Sequence, residues 1–294
     1  MTKIGLSGHL AYDHLLRYNH DFKRNLNASD FINCSFVLSE KNVSFGGCAG
    51  NIAYGLKQSS VDFDVYGVLG EKDADLYLNR LKNLGISSDN VVVIPESYTA
   101  CAYIATDSNS QQLTFFMSNA SQLASSGVYN FKDADYDLFI ISPDSVNCMI
   151  EAYKFVKEKN IDLVFDPGQQ ISAFDRKMFI EILQYSKYLI MNHEEKELIK
   201  EIFNLSEVEL RDMTNYMIVT DGFKPINVIN SSIGLDKYFN TQKAKSVVDP
   251  TGCGDAFRAA FFPEFLKSND LEKAISAGNT LAVKCIGSHT TQDY

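Results

Sequence analysis

The strongest indication of the fold is a set of four short apolar runs: Leu138-Phe-Ile-Ile-Ser142, Leu163-Val-Phe-Asp166, Tyr188-Leu-Ile-Met-Asn192 and Met217-Ile-Val-Thr-Asp221. Each run has the length of a buried strand. Stretches with a helical spacing of apolar residues separate the runs, including one from Met149 to Val156 and one near Asp175 to Tyr185. This alternation predicts βαβ units, a mostly parallel sheet and an α/β fold class.

Each run ends in a polar residue, namely Ser142, Asp166, Asn192 or Asp221. In open α/β sheets the ligand crevice lies outside the carboxyl ends of the strands, so these residues are predicted to border one site. The alternative for any one of them is a turn or cap residue, a role that Asp, Asn and Ser often have at strand ends.

The N-terminal part of the chain follows a different pattern, with core-type strands predicted at Ile4 to Gly8 and Asp64 to Leu69. The other β-prone segments are Phe31 to Leu38, Val91 to Ile94, Cys101 to Thr106 and Gln112 to Met117. Several have no helix between them, which favours a small antiparallel sheet that acts as a lid, drawn from segments of about 10–45 and 95–118. No linker marks a second unit, so residues 1–294 are predicted to form one domain.

The composition excludes several classes of protein. The formal net charge is −10, from 27 Lys and Arg against 37 Asp and Glu, which argues against a nucleic-acid binder that neutralises phosphates. The 45% hydrophobic and 22% charged residues are typical of globular proteins. The six cysteines have neither metal-ligand nor redox spacing, so we expect reduced thiols and a cytoplasmic location. No apolar window is long enough for a signal peptide or a membrane span, and no membrane contact is expected.

The turn Asp249-Pro-Thr-Gly-Cys-Gly-Asp255 precedes apolar residues at helical spacing. Backbone N–H groups at a helix N-terminus form an anion site, and Gly252 and Gly254 allow a phosphate to approach them closely. Asp255 would repel a phosphate there unless it accepts the proton of a hydroxyl that attacks the phosphate. The alternative is that Asp255 only complements the helix dipole.

A second turn, Ser44-Phe-Gly-Gly-Cys-Ala-Gly-Asn51, also opens a helical pattern. Gly46 and Gly47 permit close approach of a ligand, and the Asn51 amide offers a donor and an acceptor for a polyol. The alternative is a tight strand-to-helix turn with Asn51 as a cap. Neither turn is a Walker loop, because the chain has no Gly-x-x-x-x-Gly-Lys-Ser/Thr.

Three motifs in order resemble the ribokinase-like family of carbohydrate and nucleoside kinases, the phosphofructokinase B type. They are Gly-Gly-x-x-x-Asn at Gly46 to Asn51, Asn-x-x-Glu at Asn192 to Glu195, and Asp-x-Thr-Gly-x-Gly-Asp at Asp249 to Asp255. Within that family the chain looks most like bacterial adenosine kinases, on Ala11-Tyr-Asp13-His-Leu, Asp166-Pro-Gly-Gln-Gln170, Asp255-Ala-Phe-Arg258-Ala and Thr291-Gln-Asp-Tyr294.

The resemblance implies a three-layer α/β/α core with a small β-sheet lid and, in many members, a homodimer through the lids. It also implies a substrate site in which Asp13 and Asn51 hold ribose hydroxyls and Gly47 approaches the sugar. Ser35 and Gln169 or Gln170 would lie near the base, and Phe115 or Phe116 would stack on it. These two phenylalanines alternate in a predicted strand, so only one can face a ligand, and either can belong to the core.

For the nucleotide, the resemblance places Asn192 and Glu195 near the phosphates and Mg²⁺, acting largely through water. Thr220 and Gly222 would line the ATP site, and Asn279 would lie near the adenine. A monovalent cation, expected to be K⁺, would be held by Asp249, the Thr251 carbonyl and a loop at about residues 285–291. Without the resemblance, Glu194, Glu195 and Glu197 are only the charged first turn of a helix. Because the net charge is negative, affinity for ATP must come from local groups: the helix N-terminus, a metal ion, and Lys224 or Arg258.

The chain departs from the family pattern at three positions. Cys253 stands where alanine is commonest, which should matter little because this turn acts through the backbone N–H groups of residues 252–255. Pro225 replaces a usual glycine in the nucleotide loop. His9 stands where some adenosine kinases carry a small hydroxyl residue.

The resemblance therefore implies an ATP-dependent kinase that phosphorylates the 5′-hydroxyl of adenosine to give AMP and ADP, with Asp255 as the base. A sugar kinase of the same family, such as a ribokinase or fructokinase, is the first alternative. A non-catalytic nucleoside or sugar sensor on the same fold is the second, although an intact Asp255 argues against it.

Overall fold

The computed structural model describes residues 2–24, 34–109, 111–125, 127–131 and 135–294. The strands are β1 (Lys3–Ser7), β2 (Ala11–Arg17), β3 (Glu40–Gly46), β4 (Asp62–Gly70), β5 (Val91–Ile94), β6 (Ala100–Thr106), β7 (Gln112–Met117), β8 (Leu138–Ile141), β9 (Leu163–Phe165), β10 (Tyr188–Asn192), β11 (Tyr216–Asp221), β12 (Lys224–Asn230) and β13 (Leu235–Phe239). The helices are α1 (Cys48–Gln58), α2 (Ala74–Leu84), α3 (Ala120–Leu123), α4 (Val146–Lys159), α5 (Arg176–Tyr185), α6 (His193–Phe203), α7 (Glu207–Asp212), α8 (Cys253–Ser268) and α9 (Leu271–Ile286). Short 3₁₀ helices occur at Phe22–Arg24, Gly168–Ala173 and Ser231–Ile233.

Nine strands form the large sheet of the described residues, in the order β13-β12-β11-β10-β9-β8-β1-β4-β5. The strands from β11 to β5 are parallel, and β12 and β13 extend one edge as antiparallel neighbours. The predicted mostly parallel sheet is confirmed, with the four quoted runs as β8 to β11. The chain runs outward from β1 in both directions, so a topological switch point lies between β1 and β8, where open α/β sheets form their crevice.

Helices cover both faces of this sheet, which gives three layers. On one face α1, α2, α8 and α9 bury side chains with Ile140, and on the other face α3 to α7 bury side chains with Ile141. Adjacent strand residues thus enter opposite cores, because successive side chains of a strand point to opposite faces. Burial on both faces explains why these strands are continuous apolar runs.

A second sheet of four strands has the order β3-β2-β6-β7 and lies within the segments predicted for the lid. The structure adds to the expectation or departs from it at three points. The central pair, β2 and β6, is parallel, so the sheet is mixed. Val91–Ile94 pairs with β4 at the edge of the large sheet, since a short apolar run carries no local signal for the sheet that it joins. Of the expected strand at Phe31 to Leu38, residues 34–38 form no strand and residues 31–33 lie outside the described part.

Several helices begin at side-chain caps. Ser145 accepts a hydrogen bond from the Cys148 N–H, and Asp175 accepts one from the Met178 N–H. Each such cap stabilises its helix by about 1 kcal/mol. No helix in the described ranges combines the length and the apolar character needed to cross a bilayer.

Candidate active site

A cleft of about 490 Å³ opens at the switch point, between the small sheet and the first turn of α8. His9 and Pro143, which lie two residues after the ends of β1 and β8, line this cleft, and the His9 N–H donates to the Pro143 carbonyl at 2.9 Å. The position agrees with the crevice expected from the strand order.

The two glycine turns meet in this cleft. The α8 helix begins after Gly252, whose φ of 75° is in the left-handed region. The Asp255 side chain in the first turn is 9% exposed, and its Oδ2 accepts a 2.9 Å hydrogen bond from Nδ2 of Asn51 in α1. Gly252, Gly254 and Asp255 line the cleft, whereas Cys253 does not. Any role of Cys253 in the cleft would therefore be through its backbone.

Asn51 is held in its orientation by the C-terminal segment. Its Oδ1 accepts hydrogen bonds from Thr291 Oγ1 at 2.8 Å and from Gln292 Nε2 at 3.2 Å. With both donors on Oδ1, the amide Nδ2 points at Asp255. The sequence marked Thr291 to Tyr294 only as part of the resemblance, with Thr291 at the end of the cation loop, and did not predict their contact with Asn51, because contacts across 240 positions leave no local pattern.

Burial raises the pKa of three cleft carboxyls, those of Asp13, Asp166 and Asp255, and raises that of Asp166 to about 7. It raises the pKa of Asp255 to about 6, against the opposing effects of the Arg258 charge and the Asn51 hydrogen bond. Burial, together with the charges of Asp255 and Asp249, raises the pKa of Asp13 to about 7. A carboxylate whose pKa lies near neutrality has the proton affinity that suits a general base at physiological pH.

The predicted substrate residues divide into two groups. Asp13, Gly47, Gln169 and Gln170 line the cleft together with Asn51, whereas Ser35 is exposed and lies outside it. On β7, Phe116 lines the cleft and Phe115 points to the opposite face, where it is 66% exposed. Of the two phenylalanines, Phe116 is therefore the one placed to stack on a base in the cleft. It pairs with the cleft residue Ala102 of β6.

His9 is a second ring at this end of the cleft. It is buried, and its ring centroid lies 4.9 Å from that of Phe116. Its Nδ1 is 3.3 Å from Asp144 Oδ1, and burial lowers the pKa of the imidazole. The sequence marked His9 only as a departure from the family pattern.

Of the predicted nucleotide residues, Asn192, Glu195 and Thr220 line the cleft. Asn192 and Glu195 also form a capping box at the start of α6, with both hydrogen bonds at 2.8 Å. Glu195 therefore belongs to the first turn of a helix, as the sequence without the resemblance indicates, and it also faces the cleft.

The remaining nucleotide residues lie elsewhere. Gly222 and Lys224 are in the hairpin between β11 and β12, where the Lys224 ammonium pairs with Asp221 at 2.9 Å. Asn279 lines a separate groove between α9 and the segment after β13, and its Nδ2 donates to the Asn240 carbonyl at 3.2 Å. None of these three lines the central cleft.

Two of the four strand-end residues also have local roles. Ser142 is fully buried and donates a 2.9 Å hydrogen bond to the Ser7 carbonyl, and Asp221 pairs with Lys224 as described. Asp166 and Asn192 do line the cleft. A cap role does not exclude a place in the cleft, because Asn192 both caps α6 and lines the cleft.

The residues predicted to hold a monovalent cation lie beside the α8 turn. Asp249 Oδ1 accepts a 2.9 Å hydrogen bond from the Thr251 N–H, and Cys285 Sγ donates to the Thr251 carbonyl at 3.5 Å. The described part of the chain contains no cluster of three or more His, Cys, Asp or Glu side chains that could hold a metal ion.

A family model for pfkB carbohydrate kinases matches residues 26–294. The chain belongs to this family. The pfkB-family assignment confirms the resemblance found in the sequence and makes the protein a phosphotransferase with an alcohol group as acceptor, with ATP as the phosphoryl donor.

Relatives and solved structures agree with the assignment. A nucleoside kinase from Methanocaldococcus jannaschii is 29% identical over 276 residues, which cover 93% of this chain and 86% of the relative. A ribokinase from Lactococcus lactis is 26% identical over 297 residues, with coverage of 98% and 90%. The structure of a Burkholderia thailandensis nucleoside kinase in complex with inosine matches with a TM-score of 0.89 at 30% identity, covering 99% of this chain and 93% of that chain. The fold of this pfkB-family kinase is therefore the ribokinase-like α/β fold that the motifs predicted.

Proposed function

We propose that this pfkB-family kinase is a nucleoside kinase that transfers the γ-phosphoryl group of ATP to the 5′-hydroxyl of adenosine, giving AMP and ADP. The observation that carries the proposal is the buried Asp255 carboxylate, which faces the cleft at the N-terminus of α8 and is oriented by Asn51. The nucleoside kinases from Methanocaldococcus jannaschii and Burkholderia thailandensis support nucleosides as the acceptor class.

Asp255 would accept the proton of the attacking hydroxyl. The backbone N–H groups of residues 252–255 and the positive end of the α8 dipole would stabilise negative charge on the transferring group. In other enzymes, one donor of this kind contributes about 3 to 4 kcal/mol to the stabilisation of a transition state. Burial of Asp255 removes water that would compete for the same hydroxyl.

The rest of the cleft fits a nucleoside. Asp13 and Asn51 offer acceptors and a donor for ribose hydroxyls, and Gly47 lets the sugar approach the backbone. Phe116 and His9 provide ring faces on which a base can stack. A sugar alone would leave these ring faces uncovered by a base.

The cleft also fits the metal that such kinases use. Glu195 lines the cleft and offers carboxylate oxygens, the ligands that Mg²⁺ prefers. When bound, Mg²⁺ would neutralise charge on the phosphates. We also propose that Asp249 and the Thr251 carbonyl hold K⁺, with Asp249 supplying the negative charge.

We propose that the small sheet is the lid of a single domain and that the lids form a homodimer. The face of this sheet turned away from the cleft carries a row of paired residues, Val43, His14, Tyr103 and Phe115. Val43, Phe115 and the neighbouring Met117 are at least half exposed. Exposed apolar patches of this kind mark interaction surfaces. Light scattering at micromolar concentration is expected to give twice the 32.9 kDa chain mass, and a monomer that persists at every concentration would contradict the dimer.

A substrate panel tests the activity. ADP release is measured with ATP, Mg²⁺ and one acceptor at a time, either a nucleoside (adenosine, inosine, guanosine, cytidine or uridine) or a sugar (ribose or fructose), with and without K⁺. We expect adenosine to give the highest kcat/KM and K⁺ to raise it. Release with sugars only would favour the sugar-kinase alternative. A nucleoside that raises Tm without any ADP release would favour the sensor.

A further inference from the structure

The cleft has an unusual charge balance for a site that must admit a polyphosphate. Four of its lining residues are acidic: Asp13, Asp166, Glu195 and Asp255. A chain with a net charge of −10 needs a local positive charge to bind ATP. Among the described residues of this cleft, the one cationic lysine or arginine side chain is that of Arg258.

Arg258 is placed at the catalytic turn by the geometry of α8. It follows Asp255 by three residues and Gly254 by four, so all three lie on one helix face. Helical side chains point back toward the N-terminus, which carries the guanidinium to the first turn. A Cβ added at Gly254 would lie 2.6 Å from Arg258 Nη1. The guanidinium therefore lies where a side chain at residue 254 would stand, beside the predicted phosphate site.

Asp166 at the end of β9 holds this side chain. Arg258 Nε lies 2.6 Å from Asp166 Oδ2, and the two side chains are 8% and 3% exposed. The contact is ionic, since Nε has no aligned hydrogen-bond partner in the described part of the protein. Burial disfavours the charge on Arg258, but the carboxylates of Asp166, Asp255 and Glu195 keep its pKa above the usual value. The guanidinium is therefore a fixed cation with donors still available.

We propose that Arg258 is a further catalytic residue, whose guanidinium contacts the transferring phosphoryl group, and that Asp166 is the positioning residue that aims it. The inference rests on the proposed function. As the bond between the acceptor oxygen and the γ-phosphorus forms, the bond from that phosphorus to the β-phosphate oxygen breaks and ADP leaves. The acceptor proton moves to Asp255, and Arg258 donates N–H groups to the oxygens of the phosphoryl group, where charge is concentrated.

The competing explanation is a buried ion pair that only joins β9 to α8. Removing one partner would then leave an unpaired buried charge and destabilise the fold. The test therefore uses the double variant Asp166→Asn/Arg258→Gln, in which two neutral amides of similar size replace the pair. Arg258→Lys, which keeps a cation beside Asp166, is the second variant. The matched control is Arg211→Gln/Asp236→Asn, a pair with a 3.0 Å contact far from the cleft.

We expect the double variant to keep a Tm near that of the wild type and its KM for the nucleoside, and to lose about 10²- to 10³-fold in kcat. Arg258→Lys is expected to lose at least about tenfold, because an ammonium lacks the planar fork of donors. The control pair is expected to retain full activity. A double variant within threefold of the wild-type kcat would overturn the inference, and so would full activity of Arg258→Lys if the double variant does not fold.

Nucleotide affinity separates a failure of this inference from a failure of the proposed function. Calorimetry with ATP or ADP alone needs no acceptor. We expect the double variant to bind ADP as the wild type does and ATP about tenfold more weakly, since only ATP carries the γ-phosphoryl group. Equal weakening for both nucleotides, or for neither, would contradict contact with that group. A wild type that releases no ADP with any acceptor would instead overturn the proposed function.

Discussion

Asp255→Asn is expected to lower kcat by about 10²- to 10⁴-fold while the affinity for the nucleoside stays nearly unchanged, because the amide cannot accept the hydroxyl proton. Asparagine keeps the size of the side chain, and its Oδ1 can still accept the hydrogen bond from Asn51 Nδ2. Steady-state kinetics and calorimetry with adenosine would measure the two quantities separately. Retained turnover would show that Asp255 is not the base.

The pH dependence gives a second measurement on Asp255. Since burial raises its pKa to about 6, kcat/KM is expected to rise with pH through that region as the carboxylate ionises. Asp13 and Asp166, whose pKa values are both raised to about 7, titrate in the same range, so the rise is expected to reflect all three groups. Activity that stays constant down to pH 5 would contradict the assignment.

The same shift predicts the effect of Asp255→Asn on stability. A raised pKa in the folded state means that stability is full below the ordinary value near 3.8 and is lost as the pH rises through about 6. The asparagine amide does not ionise, so the variant does not lose this stability as the pH rises. At pH 7 we therefore expect the free energy of unfolding of Asp255→Asn, measured by urea denaturation, to exceed that of the wild type by on the order of 2 to 3 kcal/mol. At pH 4 the two proteins should differ little. Such a variant would be more stable and inactive, which would exclude misfolding as the cause of the lost turnover.

Gly47→Ala is expected to destabilise the protein by at least about 3 kcal/mol. Gly47 has a φ of 83°, and an added Cβ would overlap the His9 carbonyl oxygen and lie 2.6 Å from the Ala11 nitrogen. Both neighbours are backbone atoms at the ends of strands, so they cannot rotate away. Urea denaturation monitored by circular dichroism would measure the change.

Gly127→Ala is the matched control for this prediction. Gly127 has nearly the same φ, 80°, but a Cβ there would meet nothing within 4 Å. It should cost only the backbone strain, about 1 to 2 kcal/mol. Equal losses at the two positions would show that the close approach at Gly47 is unimportant.

Local patterns in the sequence were enough to predict the four central strands, both glycine turns and the candidate roles of Asp255 and Asn51. They could not predict that Asn51 donates to Asp255, because the two residues are 204 positions apart. They also indicated that only one of Phe115 and Phe116 can face the cleft. They could not tell which one, because that depends on the register between β6 and β7. The sequence did not assign Val91–Ile94 to either sheet, because strand pairing depends on the tertiary structure.

Roles taken from the family resemblance fared differently according to how each residue is placed. Asn192 and Thr220 lie at the ends of parallel strands, and the sheet brings them to the cleft. Lys224 and Asn279 belong to an edge hairpin and to an outer helix, whose positions depend on the packing of the whole chain. The match of a residue to the family pattern therefore does not predict how close its side chain will lie to the cleft.

The hydrogen bonds from Thr291 and Gln292 to Asn51 have a consequence for biosynthesis. Asn51 emerges from the ribosome long before the residues that orient it, and an α/β chain of this size folds through partly assembled intermediates. A nascent chain in which residues 291 and 292 have not yet been made would carry Asp255 and Asn51 without the contacts that orient the Asn51 amide. If Asp255 is the base that we propose, phosphoryl transfer would begin only after synthesis has passed residue 292, and shorter nascent chains would not consume ATP.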